Sequence, residues 1–456
     1  MGSRIAIVGG GPGGLMAAYL LRKLANRPLE LTLFESSERV GGKVLTPRFS
    51  SVPAMYEAGA AEFYDYTPVD EDPLKDMVRE LGLSTVAMGG NSVVLSGKQY
   101  STLEDLGEQF GGRVRRGWTE FHERAWGRMS PREFYESDNS EPTLTAGERS
   151  AVEGRFDTET TQLEQAELRS FLETLIHSDL ATEWTQTSVS YGLQNYLMNH
   201  PAYMQLYSID GGNEQLVERL RERTAMDVRT RQHVLSVEKV SQGSETLKLR
   251  AEGADGITEH DFDYVVLCLP IIPLSKLEFR GERLAGAMRG HLARYDHPAH
   301  YLRVTMLFSR PFWKSWLRDS YCMLDAFGGC CLYDETSRQA EAGYGILGWL
   351  FGGEAAVALS ALTDEQLTER ALGTLPETSH EATENLLEVR VHRWIGAVSA
   401  LPGGERPTRL DMRHQPEPTE HSSLFVVGDY LFDSTLNGVL DSAECVASWI
   451  AAELES

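Results

Sequence analysis

A short apolar strand followed by three spaced glycines constrains this 456-residue chain more than any other feature. The run Ile5–Val8 predicts the strand, and Gly9, Gly11 and Gly14 follow it. An apolar helix comes next, and a second strand ends at Glu35. This βαβ pattern is typical of dinucleotide binding, because the glycines permit a tight turn, close approach of the backbone to a pyrophosphate and close packing of helix on strand. We expect the start of the helix to face the diphosphate and Glu35 to accept hydrogen bonds from a ribose.

The residues that follow the second strand indicate which dinucleotide is bound. Glu35 is followed by Arg39, by the pair Gly41 and Gly42, and by Lys43. This segment resembles the extended flavin signature of the amine-oxidase and phytoene-desaturase superfamily. In that family the matching arginine and double glycine run past the FAD diphosphate and towards the isoalloxazine ring. The resemblance implies that the cofactor is FAD.

Later segments resemble the same family and occur in the same order, so the resemblance spans most of the chain. Residues 210–213 resemble its double glycine before an amphipathic helix, and Val234 lies in a segment that resembles the strand whose backbone meets adenine. Asp429 matches the acid that binds ribityl or diphosphate oxygens. The predicted helix start at Leu436 resembles one near the flavin pyrimidine ring, where a helix N-terminus stabilises the negative charge of reduced flavin.

The resemblance implies an α/β fold in which a Rossmann-like FAD-binding domain of the GR2 type is interleaved with an α+β substrate domain. A chain of this length with 41% apolar residues is large enough to bury more than one core. We expect a discontinuous FAD-binding domain formed by residues 1–65, 205–270 and 415–456. The substrate-binding domain, with a helical part, is then formed by residues 66–204 and 271–414.

Composition limits the partners and the compartment of the protein. A net charge of −24 argues against nucleic acid and anionic membranes as partners. No apolar run is long enough to span a bilayer, and the first strand begins too early to leave room for a signal peptide, so we predict a cytoplasmic protein. The expected partners are a small-molecule substrate and O2, and a homodimer is left open.

Cysteine and histidine usage indicates how the cofactor is held and which sites are absent. The five cysteines form no CxxC pair, and none lies between Cys331 and Cys445, where the family's covalent flavin-attachment loop is expected. We therefore expect FAD to be bound non-covalently. The twelve histidines show no spacing with carboxylates or cysteines that predicts a metal site.

Arg303 is the first of three candidate catalytic residues. Counting back from residues 311–313, it occupies the position at which many amine oxidases keep a lysine near flavin N5. Arginine stays protonated and cannot act as a base, although its charge would favour superoxide formation during flavin reoxidation. A strand arginine paired with a carboxylate is the alternative interpretation.

Glu62 and Trp394 are the other two candidates. Glu62 lies where several L-amino-acid oxidases carry an arginine that binds the substrate carboxylate. A carboxylate there repels a substrate carboxylate and attracts an ammonium group, unless it pairs with Arg303 or Lys43 instead. Trp394 lies in a segment that resembles one returning the family's chain to the cofactor. It is predicted to wall the pocket, and a core tryptophan is the alternative.

These residues favour a FAD-dependent amine or amino-acid oxidase, in a role in secondary metabolism. Such an enzyme forms an imine from the substrate, and O2 regenerates FAD and releases H2O2. No acid or base is required if the amine binds in its neutral form, which suits a sequence without an evident catalytic dyad. Two other classes stay open, namely a carbon–carbon desaturase or isomerase of the phytoene-desaturase type and a non-catalytic FAD-binding partner protein.

Overall fold

The computed structural model describes residues 2–90, 92–139, 154–161, 163–241, 245–338, 343–376, 379–400 and 410–455. Within these ranges the strands form four sheets. The strands are β1 (Ser3–Val8), β2 (Leu29–Phe34), β3 (Phe63–Asp65), β4 (Thr85–Met88), β5 (Val93–Leu95), β6 (Lys98–Tyr100), β7 (Gln205–Ile209), β8 (Asp227–Arg229), β9 (His233–Lys239), β10 (Leu247–Gly253), β11 (Gly256–Phe262), β12 (Tyr264–Leu267), β13 (Glu278–Phe279), β14 (Pro298–Phe308), β15 (Tyr321–Leu324), β16 (Cys330–Asp334), β17 (Gly345–Gly352), β18 (Leu386–Ser399) and β19 (Leu424–Val426).

Helices cover the faces of these sheets. The α-helices of the described ranges are α1 (Pro12–Leu24), α2 (Pro73–Glu80), α3 (Leu103–Phe110), α4 (Gly112–Arg128), α5 (Pro131–Asn139), α6 (Asp157–Thr160), α7 (Ala166–Leu180), α8 (Val189–Leu197), α9 (Gln215–Arg223), α10 (Ile271–Leu274), α11 (Glu282–Tyr295), α12 (Gly353–Ser360), α13 (Asp364–Leu372), α14 (Ser379–Asn385), α15 (Leu410–His414) and α16 (Leu436–Glu455). None of them is long and apolar enough to cross a membrane.

A parallel five-stranded sheet with the order β19-β12-β1-β2-β8 forms the centre of the nucleotide-binding part. Both faces of β1 are buried: Ile5 and Ile7 pack against α1 and α16, and Ala6 and Val8 pack against the β9–β11 layer. A parallel sheet covered on both faces requires such continuously apolar strands. The carboxyl ends of parallel strands meet at one edge, so the segments that follow β1, β2 and β19 converge there.

The seven-stranded mixed sheet β18-β14-β17-β16-β15-β5-β6 forms the second body of the molecule. Side chains alternate between its two faces, and on one face Leu302 and Trp349 belong to a core packed on α12 and α13. The opposite face carries Arg303 on β14 and Tyr333 on β16. We call this second surface the inner face, because its side chains contact the segment 57–62 and border the cavity described below.

The α/β class with a Rossmann-like nucleotide-binding sheet is confirmed. The central sheet takes strands from each of the three separated stretches that we expected to form the FAD-binding domain, and the seven-stranded sheet takes strands from the remainder. Helices α4, α7 and α8 pack beside β5 and β6 around a separate apolar core, which corresponds to the expected helical part. The domain boundaries themselves stay predictions.

We predict that Gly14→Ala destabilises the protein by at least about 2 kcal/mol, because its new Cβ would lie 2.0 Å from the carbonyl oxygen of Gly9. The midpoint of urea unfolding, measured with and without added FAD, checks this prediction. Gly286→Ala in α11 is the matched control, since its Cβ approaches only the far end of Arg289, at 3.8 Å. That variant should be stabilised by about 0.5–1 kcal/mol, and equal effects of the two variants would contradict the prediction.

Candidate active site

The glycine turn after β1 leaves an open cradle in front of α1. Gly9 has φ +109°, and a Cβ there would lie 2.3 Å from the carbonyl oxygen of Cys268, so only glycine fits. A Cβ on Gly11 would meet nothing within 4 Å. Helix α1 begins at Pro12 without a side-chain cap. Its first N–H groups therefore border open space, which is the geometry that binds a diphosphate.

The double glycine lies directly against this turn. The backbone N–H of Gly41 donates to the carbonyl oxygen of Gly10 at 2.7 Å, and a Cβ on Gly42 would lie 3.1 Å from Cα of Gly11. Both residues have positive φ, +108° and +53°. Arg39 donates to the carbonyl oxygens of Val40 and Gly42, so its guanidinium stiffens the loop beside the cradle.

Glu35 holds two loops at the nucleotide end of the cradle. Its carboxylate accepts hydrogen bonds from the N–H groups of Gly10 and Ser37, each at 2.8 Å. Its carbonyl oxygen accepts from Gln232 at 2.9 Å, which brings the start of β9 and Val234 alongside. A carboxylate has about four lone-pair positions, so Glu35 keeps acceptor capacity for a ribose hydroxyl.

Lys43, Asp429 and Leu436 lie towards the opposite end of the cradle. The ammonium of Lys43 donates to the carbonyl oxygen of Ala397. Burial raises the pKa of Asp429, and the nearby charge of Lys43 partly offsets that rise. Helix α16 starts at Leu436, and the hydroxyl of Thr435 caps it by accepting from the N–H of Gly438 at 3.0 Å. The cradle therefore offers an open turn, two helix N-termini and an acid, and this set of groups suits FAD.

Arg303 is completely buried and forms an ion pair with Glu335. Its guanidinium carbon lies 4.8 Å from the ring centroid of Tyr333, and Nη1 lies 3.5 Å from the carbonyl oxygen of Gly59. The structure thus shows the carboxylate-paired strand arginine that the sequence left as the alternative. The partner carboxylate is Glu335, however, and Glu62 does not take that place.

Trp394 contacts the short backbone segment that ends at Glu62. The indole N–H of Trp394 donates to the carbonyl oxygen of Ala58 at 2.6 Å, and the ring lies parallel to His392 within 14°. Glu62 accepts a hydrogen bond from the hydroxyl of Tyr333 at 2.9 Å. Lys43 donates to Ala397 and Arg303 pairs with Glu335, while a further pairing of Glu62 with either cation stays a prediction. The segment 58–62 therefore brings all three candidate catalytic residues together.

A cavity of about 630 Å³ opens beside Glu62. Its interior wall includes Glu62, Asp179, Tyr64 and Tyr333, which are buried or half-buried. Its rim includes the exposed side chains of Arg318 and Asp319. The cavity lies between the inner face of the seven-stranded sheet and the end of α7. It is large enough for a small organic molecule.

Asp179 is a cavity residue that the sequence interpretation missed. Burial, followed by the charge of Glu62, raises the pKa of Asp179 well above its ordinary value. Burial likewise raises the pKa of Tyr333 well above its ordinary value. One signal was available in the sequence, because an acid in the last turn of a helix opposes the helix dipole. The interior of the cavity is therefore acidic and lined with tyrosine.

Glu57 is a second residue that the sequence interpretation missed. Its carboxylate accepts from the N–H of Asn213 and from the hydroxyl of Thr46, each at 2.9 Å. Its own N–H donates to Glu335 at 2.8 Å. Glu57 thus links the nucleotide-binding part to the Arg303–Glu335 ion pair, and this buried network fixes the position of the segment 58–62.

The nucleotide fold and the open cradle define a flavin-dependent oxidoreductase whose cofactor is FAD. A family model described as flavin-containing amine oxidoreductase matches residues 12–450. The chain therefore belongs to that family.

Curated relatives match mainly over short stretches. Prenylcysteine oxidase 1 of Mus musculus is 41% identical over 97 residues, which are 21% of this chain and 18% of that protein. Protoporphyrinogen oxidase of Saccharomyces cerevisiae is 38% identical over 94 residues, which are 19% of this chain and 17% of that protein. The chain thus spans less than a fifth of the length of these relatives.

Solved structures are similar over the whole chain. A putrescine oxidase variant with redesigned cofactor binding has a TM-score of 0.73 at 18% identity and covers 99% of both chains. Cyclohexylamine oxidase from Brevibacterium oxydans has a TM-score of 0.74 at 16% identity and covers 100% of both chains. At these identities the similarity establishes the shared fold.

We predict that Glu335→Gln lowers the free energy of unfolding by about 3 kcal/mol, because it leaves the buried guanidinium of Arg303 without its compensating charge. Urea unfolding followed by circular dichroism measures the change. Glu222→Gln removes one partner of an exposed ion pair with Arg219 and should cost less than about 1 kcal/mol. A loss for Glu335→Gln no larger than that of this control would contradict the prediction.

Proposed function

We propose that this protein is a FAD-dependent amine oxidase that converts the C–N bond of an amine to an imine, with O2 reoxidising the flavin to give H2O2. The position of Glu62 carries the proposal. It lies on the wall of the cavity, and the backbone just before it is contacted by Arg303 and Trp394. An amine that arrives as an ammonium ion gains a favourable interaction with this carboxylate.

The charge of the cavity favours an amine over an amino acid as substrate. The carboxylates of Glu62 and Asp179 both line the cavity, Arg303 on the inner face is paired with Glu335, and Arg318 lies at the exposed rim. The carboxylate of an amino acid would be repelled by this arrangement and would lose its hydration without compensation. We therefore select an amine from the two substrate classes that the sequence left open.

FAD, when bound, would accept a hydride, which carries two electrons, from the carbon beside the amine nitrogen. The residues of this chain orient the amine and limit access of water. Glu62, held by the hydroxyl of Tyr333, draws the ammonium towards the segment 58–62. Trp394 does not line the cavity, although it was predicted to wall the pocket, and its indole N–H helps to hold the segment 58–62 through the carbonyl oxygen of Ala58. Arg303 holds the carbonyl oxygen of Gly59 and is a positioning residue rather than a base.

We propose that FAD is held non-covalently along the open cradle. The glycine turn and helix α1 would take the diphosphate, Glu35 the adenine ribose, and Asp429 with the start of α16 the flavin end. The proposed cofactor-binding residues are Gly9, Gly11, Gly14, Glu35, Arg39, Gly41, Gly42, Lys43, Val234, Asp429 and Leu436. A cytoplasmic location and a homodimer stay predictions from the sequence.

An anaerobic screen of the purified holoprotein tests the proposed activity. We expect primary amines to bleach the oxidised-flavin absorbance, and readmitted air to restore it with one H2O2 per flavin. L- and D-amino acids should reduce the flavin at least about tenfold more slowly. Glu62→Gln should lower the rate constant of reduction divided by the dissociation constant for the amine by about 100-fold, because the ammonium loses its counter-charge.

Glu108→Gln, an exposed substitution in α3, is the control and should leave the reduction rate unchanged. An oxidised spectrum that persists with every amine would overturn the proposed function. In that case bleaching by a polyene would identify a desaturase. Resistance to every small molecule would indicate a non-catalytic flavoprotein.

A further inference from the structure

Asp179 occupies a position that a carboxylate disfavours. It lies in the last turn of α7, which ends where Ala181 adopts a left-handed conformation with φ +55°. The carbonyl groups at a helix C-terminus carry partial negative charge, so an acid there is destabilising. Side-chain burial adds to this unfavourable energy. A carboxylate in such a position is expected only where a ligand or partner compensates it.

Within the described part of the chain, no basic residue forms an ion pair with the side chain of Asp179. Its Oδ2 is buried and makes no hydrogen bond with any described residue. The hydroxyl of Tyr301 reaches only the backbone carbonyl oxygen of Asp179, at 3.2 Å. Among the described residues that line the cavity, the sole basic side chain is Arg318, which is exposed at the rim beside Asp319. A cation that enters the cavity would supply the missing charge.

Four of the residues that line the cavity are methionines, beside polar side chains such as Asn199 and Gln205. Methionine side chains are unbranched and polarisable, so they can adjust to an irregular hydrocarbon. The methionines that line the cavity are Met88, Met198, Met204 and Met323. Leu206 also lines the cavity. At the rim, the carboxylate of Asp319 is next in sequence to the guanidinium of Arg318. A second ammonium group in this region would be desolvated without a counter-charge.

We propose that Asp179 is the anchor for the ammonium group of the substrate and that the methionine-lined region takes an apolar tail. The substrate class is then a primary monoamine with an aliphatic chain, rather than a diamine or an amino acid. This inference rests on the proposed amine oxidase function and deepens it. Asp179 fixes the nitrogen at the inner end of the cavity, where Glu62 also lies, and the tail points to the rim.

Asp179 also accepts the proton that the ammonium ion must lose. In this step one N–H bond breaks and one O–H bond forms on a carboxylate oxygen, so a cation and a carboxylate become a neutral amine and a carboxylic acid. The raised pKa of Asp179 makes this transfer less unfavourable than it would be to an ordinary aspartate. The titratable groups that interact with it are Glu62, Tyr64, Tyr301, Tyr321, Cys331 and Tyr333.

Binding of hexylamine, butane-1,4-diamine and L-leucine to oxidised holoenzyme tests the anchor independently of turnover. Anaerobic titration is followed as a perturbation of flavin absorbance, with rapid mixing for any substrate that reduces the flavin. We expect hexylamine to bind at least tenfold more tightly than either of the others. Asp179→Asn should weaken hexylamine binding by about 100-fold at an unchanged FAD content, and Asp179→Glu should restore part of it.

Glu167→Gln, an exposed substitution on the same helix, should leave binding and reduction unchanged. Asp179→Asn binding hexylamine within threefold of the wild type would overturn the inference, and so would tighter binding of the diamine. The two proposals fail separately. Hexylamine that binds through Asp179 without reducing the flavin would overturn the oxidase function alone, whereas reduction that is indifferent to Asp179→Asn would overturn the anchor alone.

The pH profile separates proton acceptance from a purely structural role of Asp179. A carboxylate must be ionised to take the proton, so kcat/KM should fall as the pH falls through the raised pKa of Asp179. The midpoint of this acid limb should lie above the ordinary carboxyl range. Asp179→Asn should shift that midpoint downwards by at least one pH unit, and an unchanged limb would overturn the proposed proton transfer.

Discussion

The buried ion pair between Arg303 and Glu335 is the constraint on which the site depends. Neither charge reaches solvent, and each would cost several kcal/mol if it were left alone. Glu335 also accepts from the N–H of Glu57, whose carboxylate binds the turn before α9 through Asn213. These polar groups join strand β14, the loop after β16 and the nucleotide-binding part. Because the groups are buried, water cannot replace their partners. This network fixes the position of the segment 58–62.

Much of the fold could be predicted because its signals are local. The strand before Gly9, the glycine spacing and the acid at Glu35 lie close together in sequence, and each has a direct steric or electrostatic reason. The same holds for Asp429, which follows a short apolar strand. The central sheet with both faces covered then follows from apolar strands that alternate with helices. The residues around the cradle could accordingly be predicted without knowledge of the tertiary structure, and their contacts with the cofactor stay predictions.

The substrate cavity was less accessible to prediction because its residues meet only through tertiary contacts. Counting along β14 correctly placed Arg303 on a strand, but the strand pattern does not reveal which acid lies opposite. Glu335 and Glu57 are far from it in sequence, and their role depends on burial. Asp179 sits in a helix whose apolar periodicity predicts core packing, so only its unfavourable location at the helix end distinguished it. The position of a site can be predicted from short sequence motifs, whereas the pairing of its charges depends on residues that are far apart in the sequence.

The order of the central sheet has a consequence for synthesis of the protein on the ribosome. Strand β1 pairs with β2, which emerges soon afterwards, and with β12, which emerges only after most of the helical part. Strand β19 and helix α16 complete the edge of the sheet and pack on α1 last. The glycine turn is therefore made first, while Asp429 and the start of α16 arrive last. Until then α1 packs on α9 but lacks α16, so one part of its apolar surface stays exposed on the nascent chain until the C-terminal helix is made.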